Sequence, residues 1–280
     1  MKKLDFDIPK GKHNIKARLS YSEGDFSQLQ QLIIMATGLH SHMDKESQVK
    51  MSDNYRQAGF ATLQFNFTAH GQGENKSGGT MKEVTLSSSI QDLKTVWDYS
   101  KTQLPKNIDV YNAVIAANSY GALISLLALE KNLITPESMV LVAPFSFDKF
   151  KPWILPLRII AKMMPDKISQ ILKLPVSSEM VKDFLKHHTK GMRRKNLLGS
   201  TAVHFFVGAE DKIASVETVK KWSYQFNKDM PSQVPFVDNL QAHCMVYPGV
   251  PHFEIPDHIQ QDISDRSIKF IRNTHKLRSY

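Results

Sequence analysis

Ser119 stands in the stretch AANSYGA, directly after the apolar run VYNAVI and directly before LISLLAL. A serine between a strand and a buried helix sits on a sharp turn that lifts its hydroxyl above the sheet edge. Such turns usually read Gly-x-Ser-x-Gly; here Ala117 takes the first glycine position and Gly121 keeps the second. Alanine adds one methyl group and suits a backbone of negative φ, so the pattern is weakened without being broken. The competing reading is a serine that caps an ordinary helix. A serine hydroxyl becomes a useful nucleophile only when a histidine takes its proton and a carboxylate orients that histidine. FFVGAEDKIAS brings Asp211 after a strand and a glycine turn, and VYPGVPHFEI brings His252 after a strand and a Pro-Gly turn. Serine, aspartate and histidine in that order, each after a later strand, suit an open α/β sheet, which binds ligands at the carboxyl ends of its strands. The rival carboxylates are Glu210 and Asp148, and the rival imidazoles are His243 and His258.

These side chains meet only if the intervening chain forms the right elements. Near-continuous apolar runs at 32–36, 61–67, 110–116, 139–143, 203–207 and 244–247 predict strands covered on both faces. Early extended runs at 3–7 and 13–20 predict an antiparallel start to the sheet. Met51, Tyr55 and Ala58 share one helical face, with Gly59 placed to stop that helix; Leu86, Ile90, Leu93 and Trp97 share another. Residues 122–129 are apolar nearly all round, a buried helix behind Ser119, and 256–272 form a last amphipathic helix. The alternation predicts a mostly parallel, doubly wound α/β sheet. It breaks once, after the sixth strand, where residues 145–200 carry Pro152, Pro156, Pro165 and Pro175 and helical patterns. They read as a helical cap on a core built from 1–144 and 201–280.

With these elements in place the chain resembles an α/β-hydrolase over its whole length except the cap. GFATLQFNFTAHGQGENKSGG is similar to a stretch of the feruloyl and cinnamoyl esterase-like and monoacylglycerol-lipase-like branches. Those usually read Phe-Asp-x-x-Gly-His-Gly; this chain has Asn66 for the aspartate and Ala69 for the first glycine. ATGLHSHMDKES resembles their oxyanion loop, with Thr37 replacing a histidine and Gly38-Leu39 matching. The resemblance implies that the N–H groups of Leu39 and Tyr120 receive the oxyanion. It implies a serine carboxylic-ester hydrolase with an acyl-enzyme intermediate, needing no cofactor. An acyl-thioesterase or lipase acting on longer chains is the rival within the fold. A hydrolase-fold binding protein without turnover is the rival from another class.

The net charge of +9 is concentrated: residues 149–195 hold twelve basic and three acidic residues, and the rest is balanced. Within that segment KPWILPLRIIAKMMPDKISQILKLP mixes apolar side chains with lysines, as a lipid-facing lid does, and KHHTKGMRRK could attract an anionic surface. The bland alternative is a solvated basic face over a packed one. Besides the oxyanion donors, Gly38, His40 and Trp153 are the residues expected to meet substrate, a small acyl ester. HSHMD resembles a metallo-β-lactamase ligand run, but Lys45 stands where that family continues with histidine, so no metal is expected. Charge alone would allow nucleic acid, but no recognition motif supports it, so no nucleic-acid partner is expected. Hydrophobic content of 41% with charged content of 22% fits a soluble globular chain, and no run reaches the ~20 apolar residues of a membrane span. One cysteine, Cys244, excludes an internal disulfide; a cytoplasmic setting is expected.

Overall fold

A computed structural model describes residues 2–22, 29–146, 154–163, 176–188, 201–228 and 243–278. Eight strands form one sheet: β1 (Lys2–Lys10), β2 (His13–Tyr21), β3 (Gln30–Ala36), β4 (Ala61–Phe65), β5 (Ile108–Asn118), β6 (Ser138–Val142), β7 (Ala202–Gly208) and β8 (His243–Tyr247). Their order is β1-β2-β4-β3-β5-β6-β7-β8; β2 is antiparallel to β1 and β4, and every later pairing is parallel. This is the mostly parallel, doubly wound α/β sheet expected from the alternating pattern.

The apolar strands divide their side chains between two cores, because successive residues point to opposite faces. Ile34, Ile115, Leu141 and Phe205 face α2 (Leu86–Gln103), α3 (Tyr120–Glu130) and the helix 216–228. Ile33, Val114, Val140 and Phe206 face α1 (Glu46–Gln57) and the C-terminal helix 257–278. In chain order the remaining helices are α4 (Ile154–Met163), α5 (Ser178–His188), α6 (Val216–Lys228) and α7 (Asp257–Arg278). The last helix outruns its expected end at 272 because Thr274 is buried and His275 bonds to the buried Glu137 of the opposite sheet end. Helix α6 has no counterpart in the sequence reading.

The described part of the insertion is fastened to the core. On α5, Met180 and Val181 are buried, Phe184 meets Phe145 edge to face at 5.9 Å, and Asp183 accepts from the Ser87 N–H and hydroxyl. A carboxylate there satisfies an unpaired N–H in the first turn of α2 and complements that helix's dipole. Trp153, Asp148 and the basic run beyond residue 188 lie outside the described residues.

After β4, residues 66–80 fold into a loop on which the motif departures become intelligible. Asn66 accepts from the Met43 N–H at 2.8 Å and donates to the Asn75 carbonyl at 2.6 Å, a donor role that an aspartate could not fill. Gly71 has φ +102°, and a Cβ there would lie 2.3 Å from the Asn75 carbonyl oxygen. Ala69 has φ +62°, a left-handed conformation in which alanine is strained and glycine is not. Ala69→Gly is therefore expected to stabilise the fold by about 1 kcal/mol, seen as a raised thermal unfolding midpoint. An unchanged or lowered midpoint would mean that lost unfolded-state restriction outweighs the relief of strain.

Candidate active site

Strand β5 is followed directly by Ser119, whose backbone is at φ +50°, ψ −115°. A serine in this region costs on the order of 1–3 kcal/mol and persists only when its surroundings over-determine it. Three backbone bonds do so. The Ser119 N–H donates to the Val142 carbonyl at 2.9 Å, and its carbonyl accepts from Leu123 at 3.2 Å and Phe145 at 3.1 Å. Phe145 reaches it because Ala143, just past β6, is itself at φ +46°. Gly121 leaves no room for a side chain: a Cβ would fall 2.4 Å from the Ala36 carbonyl oxygen. Ala117, by contrast, lies in regular pairing with Ala36 and its methyl group enters the core, so alanine fits where the motif usually has glycine.

The Ser119 hydroxyl lies 2.8 Å from Nε2 of His252, and Nδ1 of His252 lies 2.7 Å from Oδ2 of Asp211. An ionised carboxylate only accepts, so Nδ1 carries a proton and Nε2 presents its lone pair to the serine. The other Asp211 oxygen accepts from the N–H groups of Ile213 and Ala214 at 2.7 and 2.6 Å. The Asp211 side chain is fully buried and that of His252 nearly so. Glu210, the neighbouring carboxylate, points to solvent, and His258 lines a surface cleft between α1 and α7.

Asp211 and His252 meet because their loops touch. Gly208 closes β7 with no side chain, and a Cβ there would lie 1.9 Å from the Val250 carbonyl oxygen. Two N–H donors cross the same gap, from Ala209 to Tyr247 at 2.8 Å and from Glu210 to Val250 at 3.2 Å. Gly249, at φ +69°, turns the second loop. Beside His252, Phe253 packs edge to face at 4.8 Å yet remains 66% exposed, an apolar wall at the mouth of the site.

The loop after β3 leans on the elbow, with the Cβ direction of Gly38 ending 3.4 Å from Cβ of Ser119. Leu39 follows it, half-buried against the core, and Tyr120 opens α3, where the first N–H groups have no helical acceptor. Neither amide is taken by another backbone bond among the described residues. His40, at φ +59°, is exposed and stacks on His70. Asp44 is held by Arg18 and Asn75, and among the described residues no cluster could hold a metal ion. Cys244 is half-buried, and burial pushes its thiol up to about 11, away from reactivity at neutral pH. Sequence reasoning named the three polar side chains. It missed the clamp from Val142 and Phe145 and the contact at Gly208, because backbone bonds leave no residue-type signature.

The family model Hydrolase_4, described as serine aminopeptidase, S33, matches residues 27–196. The chain therefore belongs to that family of α/β-hydrolases. Among solved structures it is similar to the esterase Est1E from Butyrivibrio proteoclasticus with ferulic acid bound (TM-score 0.69, 17% identity, 97% of this chain and 99% of that one). It is also similar to a soluble variant of monoglyceride lipase from Saccharomyces cerevisiae with a substrate analogue (0.67, 14%, 96% and 94%). A third is alpha/beta hydrolase domain-containing protein 10 from mouse (0.69, 12%, 96% and 99%). No curated protein sequence matches the chain. No helix among the described residues is long and apolar enough to cross a membrane.

The contact at Gly208 yields a test independent of substrate. Gly208→Ala should push the Val250 loop and displace the His252 ring, slowing fluorophosphonate labelling of Ser119 by about 10²-fold. Wild-type labelling kinetics in that variant would show that the two loops are not what aligns the imidazole.

Proposed function

We propose that this α/β-hydrolase cleaves carboxylic esters through an acyl-enzyme intermediate. What carries the reading is the unbroken line of hydrogen bonds from the Ser119 hydroxyl through His252 to Asp211. In the reaction, His252 takes the hydroxyl proton as Ser119 attacks the carbonyl carbon. The resulting oxyanion accepts from the Leu39 and Tyr120 amides at the positive end of α3, each donor contributing on the order of 3 kcal/mol. Asp211 keeps the imidazole in the useful tautomer and stabilises it once protonated. Imidazolium then protonates the leaving alcohol, and a water activated by the same histidine releases the acid. This chemistry needs no cofactor. The described parts of the insertion, 154–163 and 176–188, belong on this reading to a cap over a core of 1–144 and 201–280, with His40 at the rim of the acyl pocket. A cytoplasmic setting agrees with the single cysteine.

A hydrolase-fold binder without turnover is the alternative from another class, and an aligned nucleophile, base and orienting carboxylate argue against it. Ser119→Ala is expected to lower p-nitrophenyl acetate turnover at least about 10³-fold and to abolish fluorophosphonate labelling. Undiminished turnover in that variant would sink the proposal.

A second reading, a longer acyl chain presented at a lipid surface, is favoured by α4. Ile159 is 52% exposed and Met163 72%, one turn apart on a helix face, with exposed Lys162 beside them. This face belongs to the segment that holds the whole positive excess, a composition suited to an anionic interface. The chain should float with phosphatidylglycerol vesicles and not with phosphatidylcholine alone, and Ile159→Glu with Met163→Glu should release it. Equal flotation with both vesicle types, or none with either, would remove the lipid surface from the account.

A further inference from the structure

The two amides assigned to the oxyanion come from different parts of the chain, and a side chain that serves neither as acid, base nor ligand lies between them. His70 is buried on the loop after β4. On one side its ring stacks on His40, the residue after Leu39, at 5.9 Å and 25°. On the other it meets Phe67 edge to face at 6.1 Å, and Phe67 in turn meets the Tyr120 ring at 6.0 Å. The ring series His40–His70–Phe67–Tyr120 thus links the backbone of one donor to that of the other.

Both ends of this series are themselves held. The Tyr120 hydroxyl donates to the Thr85 carbonyl and accepts from the Ser89 hydroxyl. Nδ1 of His70 donates to the Thr68 carbonyl at 2.8 Å, and Thr68 is fixed through its N–H and hydroxyl by the buried Asp92, which pairs with Lys10. The same loop grips the oxyanion loop a second time through Asn66 and the Met43 N–H. Burial pushes the His70 imidazole below the ordinary histidine range, so the ring is held neutral. With Nδ1 donating, Nε2 is a lone pair that has no partner among the described residues. A neutral imidazole so oriented has no proton to give the reaction. His40 meanwhile holds a left-handed backbone at φ +59°, and the stack on His70 is a contact that favours it.

We propose that His70 is a positioning residue that sets the Leu39 amide against the Tyr120 amide by holding the His40 ring. Oxyanion stabilisation depends on both donors lying about 3 Å from one oxygen, so a small shift of one loop is felt in the transition state more than in substrate binding. The inference rests on the ester-hydrolase reading and adds to it the residue that registers the two donors.

The test compares wild type with His70→Ala, His70→Phe, His40→Gly and the His70→Ala/His40→Gly double variant. Each is measured for kcat and KM on a short aryl ester, and for inhibition by a trifluoromethyl ketone, which forms a tetrahedral oxyanion with the serine. Glycine suits the φ of residue 40, so His40→Gly keeps the fold while removing the stacked ring. His70→Ala and His40→Gly should each lower kcat about tenfold, leave KM within about twofold and weaken the ketone about tenfold. The double variant should be no worse than either single one, since both break the same contact. His70→Phe, which keeps a ring, should recover part of the loss. Wild-type kcat in folded His70→Ala or in His40→Gly, losses confined to KM, or additive losses would each overturn the assignment. If His70→Ala does not fold, His40→Gly and His70→Phe decide it on the same readouts. Wild-type protein that turns over no ester would remove the hydrolase reading and this inference together; active wild type with unaffected variants would remove the inference alone.

Discussion

The strained backbone at Ser119 is the constraint to which the rest of the site is fitted. A serine at φ +50° does not hold that conformation by its own preference, and it is pinned from three neighbours: Val142, Leu123 and Phe145. Two of those bonds come from the end of β6 and the turn after it, so the elbow exists only once β5 and β6 are in register and Ala143 has taken its own left-handed turn. The strain has a purpose that follows from geometry. It turns the chain directly from strand into helix, so that the hydroxyl stands at the strand ends beside the N-terminus of α3. The close approach this demands is met at Gly121, where the Ala36 carbonyl leaves no space for a methyl group.

A second fit brings His252 to Ser119. Asp211 and His252 are forty-one residues apart in the chain, yet β7 and β8 are adjacent and parallel, so their C-terminal loops begin side by side. Gly208 lets these loops touch at Val250, and the Asp211 carboxylate is anchored by two amides of its own turn before it meets the imidazole. Burial makes the arrangement stiff: a carboxylate removed from water is costly unless fully bonded, and each Asp211 oxygen has its partner or partners. The histidine is therefore aimed by backbone geometry on both sides.

How much of this could be read in advance depends on whether the information lies in residue type or in long-range contact. The strands were legible, since parallel strands covered on both faces need apolar residues at every position and turn residues at their ends. Ser119, Asp211 and His252 were legible as types placed after strands in a consistent order. The spatial order of the strands was not legible residue by residue, whereas α6 was legible though unread, since Val216, Val219 and Trp222 recur at helical spacing on its buried face. Phe67 and His70 carry no sign in the sequence that they sit between two loops, because ring contacts with His40 and Tyr120, distant in the chain, leave no local periodicity.

The departures from the family pattern tell the same story from the other side. Ala117 is accommodated because its backbone is ordinary strand, whereas Ala69 occupies a conformation that favours glycine. Asn66 exchanges a carboxylate for an amide and uses both its ends, one on each loop, so the exchange is supported by a hydrogen bond that only an amide can donate. Thr37 is the uncompensated case: it is buried at the end of β3 and its hydroxyl has no partner among the described residues. Thr37, Asn66 and Ala69 lie in the loops after β3 and β4, Ala117 lies on β5, and the hydrogen-bonded line Ser119–His252–Asp211 is untouched by any of them. Divergence in the surrounding loops, with the polar line held in place by strand ends, separates what fixes these three side chains from what shapes the space around them.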